Sequence, residues 1–323
     1  MPSTVTGPGS VRTSRVCHPG LVTTAYLAAE DYESQLGEEL AANGVKVTQR
    51  HDRLFITEDE PIAAAWAMNT WFDAEYLGVP SIREAADALR ERQRSWAAYA
   101  PHHRGRAELI TAKLPHVSAK ALAIGAPAPN APLGSWTLLS PGLMLAAAHC
   151  SSPFPNGVAN LIEDRTGPPS RAYLKLWEAF LRVGRWPTPG ERCLDLGASP
   201  GGWTWMLAHL GAYVTAVDKA PLDERVEGMP EVRFRSASAF SIEPESFGEL
   251  DWLCSDVIAY PKRMYALVER WHRSGNVRNM IVSMKFQGET DHEIARAFAS
   301  IEGSQLFHLH HNRHELTFAL LRD

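Results

Sequence analysis

LDLGASPGGW, residues 194–203, is the stretch whose reading decides the fold. Apolar residues frame Asp195, the chain then turns through Gly197, Ser199, Pro200, Gly201 and Gly202, and WTWMLAHLGA follows as a helix beginning at Trp203. A strand that ends in a glycine-rich turn and opens into a helix is the first unit of an open α/β sheet. Units of the same kind continue outward from it. RAYLKLWEAFLRV reads as an amphipathic helix before the strand RCLDLG, and YVTAVD, VRFRSA and LDWLCSD read as further strands. The helix PKRMYALVERWHRSG leads to the strand NMIVSMKF and the helix DHEIARAFASIEG. QLFHLHHNRHELTFALLRD closes the chain as two alternating strands with a tight turn near Asn312. Strands alternating with helices imply a mostly parallel sheet covered on both faces, here with an antiparallel strand from the closing hairpin.

The first half reads differently, and 323 residues are enough for two domains. The opening MPSTVTGPGS is polar and turn-rich, so residues 1–20 are expected to be a loose tail. Residues 21–155 read as a smaller α+β domain. LVTTAYLAA is a strand, DYESQLGEELAANG a helix ending at Gly44, and VKVTQR with RLFITE a hairpin across His51 and Asp52. AAAWAMNTWFDAEYLG and SIREAADALRERQRSWAAYA both read as helices, and SWTLLSPGLMLAAAHC as a hairpin around Pro141 and Gly142. The turn-rich SSPFPNGVANLIEDRTGPPS is the connector, which puts the boundary near 155 and the α/β domain over 156–323.

Composition narrows the class. With 45% apolar and 21% charged residues the chain has the make-up of a soluble globular protein. A net charge of −5 carries no global nucleic-acid signal, although a local basic patch would suffice. Cys17, Cys150, Cys193 and Cys254 lie far apart without a C-x-x-C, so neither a metal site nor a disulfide framework is expected, and a reducing, cytoplasmic setting is. The first twenty residues lack a signal-peptide core. The uncharged stretch 121–162 is interrupted by six prolines and cannot cross a membrane as a helix.

The glycine turn excludes two common ligand types. A phosphate-cradling P-loop needs G-x-x-x-x-G-K-[ST], and the lysine is missing; the dinucleotide pattern G-x-G-x-x-G is missing too. Gly201 and Gly202 permit close backbone approach. Asp218 ends the second strand, 23 residues after Asp195, where an acid suits ribose hydroxyls. A nucleoside without a pyrophosphate fits best, and S-adenosylmethionine is the obvious one. The turn residues Asp195, Gly197, Ser199, Pro200, Gly201, Gly202 and Trp203, with Asp218 and Asp256, are its expected contacts.

LDLGASPGGWTWML resembles the first motif of the FtsJ-like ribose 2′-O-methyltransferases. The resemblance implies a Rossmann-like class I methyltransferase fold with a seven-stranded, mostly parallel sheet. It also implies a Lys-Asp-Lys-Glu tetrad at defined element ends. SRAYLKLWEAF supplies Lys175 on the helix before the first strand, LCSD supplies Asp256, IVSMK supplies Lys285 and RHELTFAL supplies Glu315. Where many members carry an acid near the adenine after the third strand, RSASAF offers Ser238. From about 135 onward the pattern is similar to the bacterial 23S ribosomal RNA cytidine 2′-O-methyltransferase M subfamily, through SPGLMLAAAHCSSPFPNGVANL, PPSRAYLKLWEAF, AVDKAP and HHNRHELT. That subfamily places ferredoxin-like and THUMP RNA-binding domains first, and the β-α-β-β start of this chain suits the former.

The expected chemistry is consistent on its own. A ribose hydroxyl must lose its proton as it attacks a methyl group. Lys285 can accept that proton only when neutral, and lysines ordinarily titrate near about 10.4. Two positive neighbours, Lys175 and the donor's sulfonium, favour the neutral form. Asp256 and Glu315 then orient the lysines and the hydroxyl, and alignment of oxygen, carbon and sulfur carries much of the rate.

Two other features invite a function. Residues 81–120 hold eight Lys and Arg against four acids, with Trp96 and Tyr99 interleaved. Arg92, Arg94, Arg104 and Arg106 could grip phosphates while the rings stack bases, and equally the segment could be a solvated face. Residues 1–80 carry five bases against eleven acids and are not expected to face RNA. His308, His310, His311 and His314 cluster near the end, with His308 and His310 on one strand face, but no acid pair or cysteine completes a metal site. The expected partner is RNA, 23S ribosomal RNA first, with no membrane or metal, and the sequence does not fix the oligomeric state. A cap or tRNA methyltransferase, a weakly active RNA-binding assembly factor and a small-molecule methyltransferase are the alternatives.

Overall fold

The computed structural model describes residues 22–322, so the expected tail over 1–20 lies outside the described residues. The first half contains β1 (Thr24–Ala28), α1 (Glu33–Ala42), β2 (Val47–His51), β3 (Leu54–Thr57), β4 (Ala67–Phe72), β5 (Glu75–Gly78), α2 (Ile82–Arg92), β6 (Trp96–Ala98), α3 (Arg104–Thr111), β7 (Gly134–Ser140), β8 (Leu143–Ala147) and β9 (His149–Cys150). These make two sheets, ordered β2-β3-β1-β4-β9 and β5-β8-β7-β6. The first four strands of the larger sheet are antiparallel neighbours in the order of a ferredoxin-like sheet, with α1 following β1. A loop over 58–66 stands where that fold has its second helix.

Two expectations fail here. Residues 63–78 do not form a helix but the strands β4 and β5, and the helix expected over 81–100 stops at Arg92, after which β6 pairs with β7. Strand β4 is buried along almost its whole length. Ala25, Leu27, Ile56 and Trp71 pack against Tyr99, Leu145 and Ala147 between the two sheets, while Tyr26, Phe55 and Trp66 face α1. A strand covered on both faces shows no alternation, so its apolar run imitates a buried helix.

The second half contains α4 (Tyr173–Val183), β10 (Arg192–Leu196), α5 (Gly202–His209), β11 (Tyr213–Asp218), α6 (Glu224–Glu227), β12 (Val232–Ser236), β13 (Leu250–Ser255), α7 (Pro261–Ser274), β14 (Val277–Lys285), α8 (His292–Ala299), β15 (Ser304–Phe307) and β16 (Glu315–Leu320). The strands form one seven-stranded sheet, β12-β11-β10-β13-β14-β16-β15. Pairing is parallel from β12 to β14, and β16 runs antiparallel to both its neighbours. The order reverses at β10 and β13, so the crevice beyond their carboxyl ends is where a ligand is expected. Helices α4 and α5 cover one face through Tyr173, Trp177, Phe180, Met206 and Leu207. Helices α7 and α8 cover the other through Met264, Val268, Trp271 and Phe298, in a core continuous with Tyr26, Leu36 and Trp66 of the first half. The two halves therefore share buried apolar surface.

The connector is pinned rather than loose. Leu122 bridges Leu161, Ser151 Oγ accepts from the Thr70 N–H at 2.8 Å, and Gly157 packs on β4 with φ +82°. A Cβ at Gly157 would run into the Met68 carbonyl, whereas at Gly44, with φ +77°, it would meet nothing. Gly44→Ala should therefore cost about 1 kcal/mol of left-handed strain, and Gly157→Ala about 3 kcal/mol because backbone must also move. Thermal melts of both variants measure the difference; equal losses would mean that the connector yields freely.

Candidate active site

Four segments deliver four charged side chains to one place. Lys175 stands on α4, Asp256 is the first residue past β13, Lys285 ends β14 and Glu315 begins β16. The antiparallel register sets Lys285 directly across from Glu315. Lys175 Nζ donates to Asp256 Oδ1 at 2.8 Å and to Glu315 Oε1 at 3.0 Å. Lys285 Nζ donates to the Asp256 carbonyl at 2.6 Å and lies 3.1 Å from Asp256 Oδ1. One carboxylate oxygen of Asp256 thus touches both lysines. Burial pulls the Lys175 ammonium towards neutrality, but the charges of Asp256 and Glu315 and their hydrogen bonds outweigh it and raise its titration. Lys175 is held as a cation. Lys285, with its side chain 19% exposed, is the most open of the four.

The glycine turn lies beside them. Gly197 and Gly201 take positive φ values of +80° and +113°. Their second requirement comes from the protein itself. A Cβ on Gly197 would fall 2.6 Å from Val257 Cβ, one on Gly202 would fall 2.5 Å from Ser170 Oγ, and one on Gly201 would press on Val226 at 3.0 Å. The Asp218 carboxylate accepts the Ser199 N–H and the Ala220 N–H, each at 3.0 Å, Ser199 Oγ donates to the Pro221 carbonyl at 2.8 Å, and the Pro200 carbonyl accepts the Asp223 N–H at 2.9 Å. Asp218 is half-buried, and each of its oxygens accepts one N–H and keeps further lone-pair capacity. Ser238 lies just past β12, its hydroxyl accepting the Phe240 N–H at 3.4 Å.

Several of the expected site residues carry structural contacts. Trp203 is buried and its indole N–H donates to the Ala172 carbonyl at 2.9 Å, which ties α5 to the start of α4. Asp195 is 1% exposed beneath the turn and accepts the Thr204 hydroxyl at 2.6 Å. Trp96 and Tyr99 are both buried, so neither presents a ring to a base. Arg92 forms a two-pronged pair with Glu75 at 3.1 and 2.7 Å, and Arg106 donates to the Val79 carbonyl at 3.1 Å. Arg94 and Arg104 are exposed. The histidines stand in the loop between β15 and β16, not on a strand face. His308 is buried, and His311 with the N–H groups of His310 and His311 binds Glu178 at 2.8 to 3.1 Å. Among the described residues no group of three or more His, Cys, Asp or Glu is arranged for a metal ion, and no helix is long and apolar enough to cross a membrane.

Sequence reasoning missed Glu178 and Thr204. Glu178 interrupts the apolar run LWEAF, and an acid there was the available signal that a buried partner exists. Thr204 offered none.

Asp195 gives a pH dependence with a definite sign. Burial, opposed by the Thr204 hydroxyl, raises its carboxyl to about 7. Between its unfolded value near 3.8 and about 7 the folded protein keeps a proton that the unfolded chain has lost. Its contribution therefore favours folding below that window and is lost as pH rises through it, by at most about 4 kcal/mol. Asp195→Asn keeps an acceptor for Thr204 and should flatten this part of the stability profile. Urea melts at pH 4.5 and 7.5 read the slope; an unchanged slope in the variant would place the titration elsewhere.

Known proteins match about half of the chain. Residues 168–302 match the family model described as FtsJ-like methyltransferase. Ribosomal RNA large subunit methyltransferase M of Cellvibrio japonicus is 36% identical over 149 residues, covering 44% of this chain and 42% of its own. The protein of the same name from Halorhodospira halophila is 36% identical over 175 residues, covering 51% and 50%, and that from Xanthomonas axonopodis is 34% identical over 198 residues, covering 56% and 55%. The chain spans about half the length of the curated relatives it matches. The matched residues 168–302 fall within the half that forms the seven-stranded sheet, and there the chain is similar to FtsJ-like methyltransferases.

Proposed function

We propose that this chain transfers a methyl group from S-adenosylmethionine to a ribose 2′-hydroxyl of structured RNA, with a cytidine of 23S ribosomal RNA as the favoured target. The observation that carries the reading is the Asp256 carboxylate bridging Lys175 and Lys285, with Glu315 on Lys175. The names of the relatives, ribosomal RNA large subunit methyltransferase M, support the RNA class.

The donor set suits the cofactor. Asp218 offers carboxylate oxygens at the end of the second strand, where ribose hydroxyls would donate, and Asp256 would supply negative charge to a positively charged donor. When bound, S-adenosylmethionine supplies an electrophilic methyl on a positive sulfur that leaves as a neutral thioether. Lys285 takes the proton of the attacking hydroxyl, in its neutral form, and passes it to solvent. Lys175, held cationic, shares Asp256 Oδ1 with Lys285 and so anchors the carboxylate against which the Lys285 amine rests. Asp256 and Glu315 fix both amines, so hydroxyl and methyl meet in line rather than by search.

Lys285→Ala should lower the single-turnover rate by a factor of about 100 or more while S-adenosylmethionine and RNA still bind, because the base acts in the transition state. Lys285→Arg should not restore it, since arginine does not give up its proton in a protein. Arginine at 285 turning over like the wild type would make Lys285 an electrostatic residue and move the base to another group. Mapping 2′-O-methylation across total RNA, with and without this gene, names the nucleotide; no change in 23S ribosomal RNA would remove that target.

We read residues 22–155 as the RNA-gripping unit. Only Arg94 and Arg104 of the four arginines are exposed without a structural bond to another residue, so they are the ones expected to meet phosphate. Reversing both to Glu should weaken RNA binding and lower the salt slope by about one per lost phosphate contact, with cofactor affinity unchanged. Unaltered RNA affinity in filter binding would make this a solvated face.

A further inference from the structure

The strand ends that carry Lys285 and Glu315 run directly into aromatic side chains. Phe286 follows Lys285, His314 precedes Glu315, and the Phe286 N–H donates to the His314 carbonyl at 3.0 Å, so the pairing extends one step beyond the catalytic pair. The two rings meet at 5.2 Å. The third ring of this cluster comes from the other half of the chain. Trp66, in the turn before β4 and 1% exposed, lies 5.8 Å from Phe286 and 5.8 Å from His314. Tyr32 stacks on Trp66 at 5.4 Å and on His314 at 6.0 Å.

Hydrogen bonds tie the same turn to Glu315. The N–H groups of Ala65 and Trp66 donate to the two Glu39 carboxylate oxygens at 2.8 and 3.0 Å. The Ala65 carbonyl accepts the His308 N–H at 2.6 Å. His308 is buried, which pushes its imidazole down to about 4, so the ring is neutral and its Nε2 donates to the Arg313 carbonyl at 3.1 Å. The Arg313 N–H in turn donates to Glu315 Oε1 at 3.2 Å. Rings and hydrogen bonds thus converge on the ends of β14 and β16.

We propose that Trp66 and Tyr32, from the first half of the chain, are positioning residues for methyl transfer: their rings clamp Phe286 and His314 and so hold Lys285 and Glu315 in register with Lys175 and Asp256. This rests on the methyl-transfer reading above. Neither ring acts as an acid, base or nucleophile. Their effect is on geometry, and a displacement near 1 Å at a reacting group can cost about 100-fold in rate. A plain interface contact would instead cost stability and leave the rate of the folded protein alone.

The full chain is assayed with unmodified 23S ribosomal RNA transcript and methyl-labelled S-adenosylmethionine. Single-turnover rates at saturation, cofactor Kd by calorimetry and thermal melts are measured together. Trp66→Ala should lose about tenfold or more in rate with cofactor Kd within about twofold of wild type, and Trp66→Phe should recover most of the loss, since a ring of the same kind still packs. A rate for Trp66→Ala within about twofold of wild type overturns the proposal, as does an equal loss in cofactor affinity without rescue by Phe. If Trp66→Ala does not fold, Tyr32→Ala decides, because Tyr32 is partly exposed and packs on the edge of the core rather than within it. A fall of about threefold or more with unchanged cofactor affinity supports the proposal, and an unchanged rate overturns it. Wild-type protein that transfers no methyl to the RNA overturns the reaction and this inference together, whereas active wild type beside equally active variants overturns this inference alone.

Discussion

The antiparallel pairing of β14 with β16 is the constraint on which the site depends. It sets Lys285 across from Glu315 at the carboxyl edge of the sheet, next to the end of β13 where Asp256 begins. Helix α4 then needs only to present Lys175 over that edge for one ammonium to reach both carboxylates. Two positive and two negative groups come together in a largely buried cluster. Any one of them alone would be expensive to desolvate, and the cluster is tolerable because each charge has a partner within about 3 Å.

The glycine turn follows a different logic. Its glycines answer first to the protein: Val257, Ser170 and Val226 occupy the directions in which side chains would grow. The turn is further tied down by Asp218, Ser199 and Pro200 through backbone hydrogen bonds. The turn is therefore a preformed backbone surface with one half-buried acid at its edge. A rigid surface of this kind costs little to organise on binding.

The first half of the chain is built into the site as well as attached to it. Its larger sheet shares apolar core with α7 and α8, and its turn at Ala65 and Trp66 meets the loop that leads to Glu315. Basic residues that looked equivalent along the chain divide once the structure is known. Arg92 and Arg106 hold the half together, and Arg94 and Arg104 face outward.

The second half was legible residue by residue. Strand–turn–helix punctuation marked β10 and α5 and an acid at the end of the second strand marked Asp218, each cue lying within a few residues of its element, whereas Asp256, Lys285 and Glu315 were expected from the resemblance to a family motif. The strands β4 and β5 were not legible. Burial of β4 on both faces erases alternation, and an alanine-rich run then reads as helix until β1 and β8 are seen to pair with the two strands. Nor could local pattern separate a ring that stacks on RNA from one that fills a core, as Trp96 and Tyr99 do. The sequence by itself determined the alternation of strands and helices in the second half and the glycine turn after β10, because periodicity and turn chemistry are local. Only the tertiary structure decided that Asp195 and Trp203 brace the turn, that Glu178 holds the histidine loop, and that Trp66 stands behind Lys285 and Glu315. Those contacts join residues far apart in the chain, and no local pattern encodes which distant partner a buried side chain will meet.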